Sequence, residues 1–209
     1  MKTNFFYNNS KGADNMAAFY QESDYENALL ELFEQHLGYE YVCGYHIDHN
    51  VKSPLYDEVL EESIFRINKG KPYDAIKNAL LTLKNFENGT LVQKNAVFTD
   101  YLQNGISARY TENGEERSTL IYLIDWENIE NNSFICANQW TFVENSNRRP
   151  DILLFINGLP LVLVELKSPS REDTDASEGY TQIRNYMHEI PSMFYYNQIC
   201  VMSDQLTSK

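Results

Sequence analysis

No apolar run in this 209-residue sequence approaches the ~20 residues of a membrane-spanning helix. The opening MKTNFFYNNSKG lacks the apolar core of a secretory signal. Cysteine is scarce: Cys43, Cys136 and Cys200 are widely spaced, each in an apolar setting. That excludes a disulfide framework and predicts buried, unpaired thiols in a reducing cytoplasm. The pattern G-x-x-x-x-G-K-[ST] is absent, so no ATP hydrolysis is expected of this sequence. Positive charge is also short. Lys and Arg number 17 against 30 Asp and Glu, a net charge of −13, which argues against a stand-alone nucleic-acid binder. The deficit is uneven: residues 1–147 carry −11 and residues 148–209 only −2, with Arg148, Arg149, Arg171 and Arg184 in the latter.

What is present is enough apolar matter for a substantial core: 43 % hydrophobic and 13 % aromatic residues, with 15 Tyr. The sharpest stretch is residues 149–167, RPDILLFINGLPLVLVELK. Its apolar runs, Ile152–Ile156 and Leu161–Val164, are too short for typical helices and read as strands joined at Asn157-Gly158, a strong hairpin signal. A two-residue loop pairs Ile156 with Leu159 and Asp151 with Val164. A three-residue loop, Asn157 to Leu159, pairs Ile156 with Pro160 and Asp151 with Glu165. Only the second register sets both carboxylates opposite each other on one face, so it is the one expected. Pro160 lacks an N–H for the ladder, which argues for a loosened turn or bulge there. Glu165 and Lys167 share a face in any register.

Two confined carboxylates repel unless a cation joins them. Mg²⁺ is held in this way, by one or two carboxylates, waters and substrate phosphate. A nearby lysine neutralises developing charge or orients the attacking water, an inventory suited to phosphodiester hydrolysis. On Asp151, Glu165 and Lys167 alone, a salt-bridged strand end on a solvated rim is the blander account.

The wider sequence decides between them. Pro150-Asp151, thirteen intervening residues and Glu165-Leu166-Lys167 resemble the PD-(D/E)xK nuclease motif. RRPDILLFINGLPLVLVELKSPSRE, then TQIRNYMHEIP, and LIDWENIENNSFICANQWTF within residues 120–142, resemble the amino-terminal region of the restriction subunit of type I restriction–modification enzymes. The resemblance runs from about Ser23 onward and is dense after Leu120. It implies a prokaryotic, cytoplasmic, Mg²⁺-dependent endonuclease region acting on double-stranded DNA. In such subunits an ATP-driven translocase follows, so this chain reads as a fragment lacking its motor. It also implies methylation and specificity subunits as partners that deliver the DNA. Carried onto this chain, Asp151 and Glu165 bind metal with the Leu166 carbonyl, and Lys167 positions the water. Gln182 and Tyr186, four apart on one helix face, flank the site, although the same spacing suits a half-buried structural face. Glu26 is a possible third acid; capping its own helix is the simpler role.

The expected fold class is α/β (α+β): a mixed central β-sheet flanked by helices, a restriction-endonuclease-like core with a helical amino-terminal insertion. Residues 1–22 read as a flexible leader and 23–209 as one domain. Within it, a first helix runs from a Ser23 cap to Gly38, with Leu29, Leu30, Phe33 and Leu37 as its apolar stripe. Residues 39–47 form a short strand. Cys43, His46 and His49 have loosely zinc-like spacing, but alternation splits Cys43 from His46 and no fourth ligand follows. The helical segment 53–104 comprises helices from Ser53-Pro54 to about Asn68, from Pro72 to Phe86, and over 91–104. The sheet core, 106–209, is expected to open with a hairpin across Asn113-Gly114. A strand over 134–143, the catalytic hairpin 150–167, a polar loop 168–177, a helix over 175–189 and a strand over 198–202 complete it. A competing reading, from another class, is a nuclease-shaped docking module that binds the methylation–specificity core through residues 53–104. A repair nuclease with the same motif is disfavoured by the 120–142 string.

Overall fold

The computed structural model describes residues 22–167 and 176–203. The expected leader, Glu22 apart, and most of the expected loop 168–177 lie outside them. The helices are α1 (Glu22–Leu37), α2 (Asp57–Ile67), α3 (Tyr73–Lys84), α4 (Leu91–Asn104), α5 (Ala176–Glu189) and the short α6 (Met193–Tyr196). The strands are β1 (Glu40–Cys43), β2 (Ile106–Glu112), β3 (Glu115–Ile121), β4 (Phe134–Asn138), β5 (Phe142–Val143), β6 (Asn147–Arg148), β7 (Ile152–Ile156), β8 (Leu159–Leu166) and β9 (Ile199–Ser203). The central sheet is mixed, in the order β1-β4-β7-β8-β9. Its outer pairs, β1 with β4 and β8 with β9, are parallel, and its inner pairs antiparallel.

Period-two alternation assigns the sheet's two faces. Cys136, Ile152, Leu154, Val164 and Leu166 turn toward Leu30 of α1, with Leu29 and Phe33 alongside. Ile135, Ala137, Leu153, Phe155 and Leu163 turn toward Ile183, Tyr186 and Ile190 of α5. A third core joins α2, α3 and α4 to the β2–β3 hairpin and to Leu159 and Tyr196.

The hairpin's register arises differently from the expected loop. The turn has two residues: Asn157 (φ 51°) and Gly158 (φ 76°) occupy the left-handed region, and Ile156 faces Leu159. Phe155 then faces Pro160, but Leu154 faces Val162, leaving Leu161 as an extra residue. This bulge restores the shift that a longer loop would have given, and Ile152 faces Val164. Asp151 and Glu165 are next in line. The bulge is anchored, since the Leu161 carbonyl accepts from Gln198 N (2.9 Å) and Asn197 Nδ2 (3.2 Å).

The turn is buried as well. Asn157 Oδ1 accepts from Ser133 N (2.7 Å), while Nδ2 donates to the Leu123 carbonyl (2.9 Å) and to Asn132 Oδ1 (2.8 Å). The Gly158 carbonyl accepts from Tyr56 N (2.9 Å). That last bond moves the start of α2. Ser53 and Pro54 do not open it; the Ser53 hydroxyl caps Leu55 N in a local turn, and helix begins at Asp57.

Other boundaries shift for similar reasons. Ser23 lies inside α1 rather than capping it, and Leu37 of the expected stripe is 56 % exposed. Pro72 is the N-cap of α3, which ends at Lys84. Helix α4 has the expected span and carries a Thr90–Gln93 capping box. The β2–β3 hairpin turns at Asn113-Gly114 but forms a sheet of its own. The expected strand 134–143 breaks after Asn138, where Gln139 has φ 53°. Of the thiols, Cys136 is buried whereas Cys43 and Cys200 are only half-buried; all are unpaired.

Gly158 therefore has two reasons to be glycine. A Cβ there would lie 2.6 Å from Leu60 N and from the Tyr56 carbonyl, while at Gly114 (φ 83°) nothing stands within 4 Å. Gly114→Ala is expected to cost about 1 kcal/mol, the strain of a left-handed alanine. Gly158→Ala should cost about 3 kcal/mol or more, because overpacking is added. Urea denaturation of the two variants checks this difference.

Candidate active site

Strand β8 ends in Glu165-Leu166-Lys167 beside β9, and the chain enters β7 through the bend at Asp151. Alternation turns Leu166 into the core under α1 and Glu165 toward α5. Glu165 is 1 % exposed, an extreme position for a carboxylate. Its Oε1 accepts from Lys167 Nζ at 3.1 Å. Its Oε2 is buried with no hydrogen-bond partner among the described residues. Lys167 Nζ also donates to Gln182 Oε1 at 2.7 Å, and Gln182 Nε2 donates to the Tyr186 hydroxyl at 2.8 Å. Asp151 Oδ2 accepts from the Leu166 amide at 2.6 Å, which locks the two strand ends together.

Burial and the neighbouring Asp151 charge push the Glu165 carboxyl up to about 7, against the pull of Lys167. Tyr186 is raised too, by burial and by Glu165. Buried groups shifted by desolvation plus a specific charge partner mark a functional-site candidate, although structural ion-pair networks produce the same shifts. Asp151 and Glu165 side by side, with one buried oxygen unsatisfied, are an oxygen donor set that suits a hard divalent cation.

The structure thus brings together Asp151, Glu165, Lys167, Gln182 and Tyr186. It sets Glu26 apart. Glu26 Oε1 accepts from Asn138 Nδ2 at 2.7 Å, and Asn138 Oδ1 accepts from the Tyr41 hydroxyl at 2.9 Å. Asn138 faces Ile152 across β4–β7, so Glu26 stands at the same end of the sheet. Among the described residues no three His, Cys, Asp or Glu side chains gather into a metal cluster. Lys167 is less of a rim residue than its strand-end position suggests, being 20 % exposed and doubly bonded.

Sequence reasoning missed one support. Arg148 forms a bidentate ion pair with Glu189 of α5, joining the approach to Asp151 to the helix that carries Gln182 and Tyr186. The pair holds Glu189 below the usual carboxylate range. Forty-one residues separate the partners, and nothing local signals the contact.

A mixed sheet between helices, with two carboxylates and a lysine at the meeting of an antiparallel hairpin, is a nuclease-like α+β architecture. Comparison with known proteins agrees. The family described as type I restriction enzyme R protein N terminus matches residues 19–209, and this chain belongs to it. It is 32 % identical over 198 residues to the type I restriction enzyme HindI endonuclease subunit of Haemophilus influenzae, covering 90 % of this chain and 19 % of that protein. It is 33 % identical over 194 residues to the putative type I restriction enzyme MjaIXP endonuclease subunit of Methanocaldococcus jannaschii, covering 88 % and 18 %. A Staphylococcus aureus type I restriction enzyme endonuclease subunit is 28 % identical over 198 residues. The chain spans about a fifth of the length of these relatives. Among the described residues no helix is long and apolar enough to cross a membrane.

The raised Glu165 sets a pH dependence. Its folded pKa lies above the unfolded value, so its contribution to stability is fully present below about 4.5 and is lost as pH rises to about 7. In EDTA, stability should fall across that window by up to ~1.4 kcal/mol per pH unit. Glu165→Gln should flatten the decline, as read by urea midpoints at each pH.

Proposed function

We propose that this region is the Mg²⁺-dependent DNA-cleaving module of a type I restriction enzyme R subunit, hydrolysing phosphodiester bonds of unmodified foreign DNA. The observation that carries the reading is Glu165: a buried carboxylate beside Asp151 and under Tyr186, with one oxygen on Lys167 and the other making no close hydrogen bond among the described residues. A fold gains nothing in stability from such a group, since burying charge costs more than it returns unless a function needs it.

Asp151, Glu165 and the Leu166 carbonyl would hold the divalent ion, which when bound supplies Lewis-acid polarisation of the phosphate and a more acidic water. Lys167, gripped between Glu165 and Gln182, offers its ammonium to charge developing on the phosphate and to the attacking water. Gln182 fixes Lys167, and Tyr186 fixes Gln182, so this reading gives both of them positioning roles. Glu26 is an outlying acid here, tied to Asn138.

The rest of the enzyme completes the function. With a net charge of −13 and no P-loop, this chain depends on other parts for DNA capture and ATP-driven translocation. A motor region outside this chain and the methylation and specificity subunits fill those roles, and the expected compartment is the prokaryotic cytoplasm.

Lys167→Ala in the reconstituted complex should slow DNA cleavage about a hundred- to a thousandfold. ATP hydrolysis should persist. Because Lys167 is bonded to a buried carboxylate, metal-free stability should drop by about 1–3 kcal/mol rather than by a surface increment. Calorimetric Mn²⁺ binding should vanish in Asp151→Ala and Glu165→Ala. Normal cleavage by the Lys167 variant would instead favour a nuclease-shaped docking module, and joint loss of cleavage and ATPase would mean a misfolded or undocked subunit.

A further inference from the structure

Among the described residues most arginines are neutralised: Arg66 by Glu62, Arg109 by Glu116, Arg117 by Glu112 and Glu115, Arg148 by Glu189. Arg149 is an exception. It forms no ion pair among the described residues, and its guanidinium lies over the ring of Tyr45, 5.3 Å from the centroid, bonded to the Tyr45 hydroxyl. Arg184 resembles it, resting on Tyr180, but lies two positions from both Gln182 and Tyr186 and so on the far side of α5. Arg149 is two residues before Asp151, separated from it by the buried Pro150.

Tyr45 is held there by close packing of its turn. It is 65 % exposed, in the 3₁₀ turn Gly44–His46 that follows β1. Gly44 is seated so tightly that a Cβ would lie 2.5 Å from the Gln139 carbonyl and 2.7 Å from Trp140 Cα. Gln139 itself has φ 53°, an unusual conformation for a residue with a side chain. This close contact follows Asn138, which faces Ile152, and so lies at the carboxylate end of the sheet. Close packing at Gly44 fixes an exposed ring beside an arginine that has no ion-pair partner among the described residues, a geometry that suits an external ligand. Donation to Tyr45 occupies Nη1 and leaves the Nε–Nη2 edge for a bidentate oxyanion, and on a DNA substrate that oxyanion is a phosphate.

We propose that Arg149, carried on Tyr45, is a positioning residue that grips a backbone phosphate of the DNA beside the bond to be cut. This rests on the nuclease reading and deepens it: the module supplies one strand contact of its own, next to the carboxylates. The contact is with the sugar–phosphate backbone and reads no base.

The test uses the complete complex, with cleavage and ATP hydrolysis followed together at several KCl concentrations. Arg149→Ala should cleave about tenfold more slowly at physiological salt with ATPase and Mn²⁺ binding unchanged. Its plot of log cleavage rate against log salt should be shallower by about 0.9, the increment that neutralising a single phosphate adds to the slope. Arg149→Lys should restore the wild-type slope while recovering only part of the rate. A purely structural role would leave the slope alone. Should Arg149→Ala also lose ATPase, Arg149→Gln is read by the same slope. Wild-type rate and slope in the alanine or glutamine variant would overturn the proposal. Failure of the wild-type complex to cleave, or normal cleavage by Lys167→Ala, would overturn the nuclease reading instead.

Discussion

One surplus residue, Leu161, fixes which face of the hairpin carries its charges. Side chains alternate along a strand, so an unbulged hairpin with the same tight turn would set Asp151 opposite Val164. Because Leu161 stands outside the ladder, Ile152 faces Val164, and the carboxylates follow in register on the α5 side. The rest of the sheet conforms to this. Strand β9 meets β8 from Val162 onward, and the segment before it, Asn197-Gln198, bonds the bulged carbonyl directly. Helix α5 then brings Gln182 and Tyr186 over the same face.

The outcome is a carboxylate held where water would not leave it. Glu165 has apolar layers beneath it, Asp151 beside it and a single cation in contact. Desolvation and like charge act in the same direction there, and Lys167 offsets only part of them. An ion able to bind that oxygen would relieve both effects at once, which is how a metal site differs from an ordinary buried ion pair.

Much of this is legible in the residues, and the misses share a cause. The hairpin and the pairing of Asp151 with Glu165 follow from short-range spacing, which is what a sequence displays, whereas the placing of Gln182 and Tyr186 beside Lys167 comes from the family resemblance, since their spacing alone suits a structural face equally well. The shift in register is legible too, but its origin is not, because a tight turn plus a bulge and a looser turn give the same distant register. The start of α2 departs from Ser53-Pro54 because Tyr56 is bound to Gly158, about a hundred residues away. The Arg148–Glu189 and Arg149–Tyr45 contacts are equally long-range, so neither partner carries a local signal. The β2–β3 hairpin is visible in its turn, but strand pattern alone does not say which sheet a strand joins.

The dipeptide Asn-Gly makes both hairpin turns, yet only one of them is a loop in the engineering sense. At Asn113-Gly114 the chain is exposed and surrounded by open space, so peptide tags, fused domains or new termini from circular permutation belong there. At Asn157-Gly158 the turn is an interior joint: its asparagine is 0 % exposed and bonded to Leu123 and to the Asn132-Ser133 segment, and its glycine lies against α2. Cutting or lengthening the chain at that point would dismantle the floor of the site, although sequence alone marks it as the natural place for a splice.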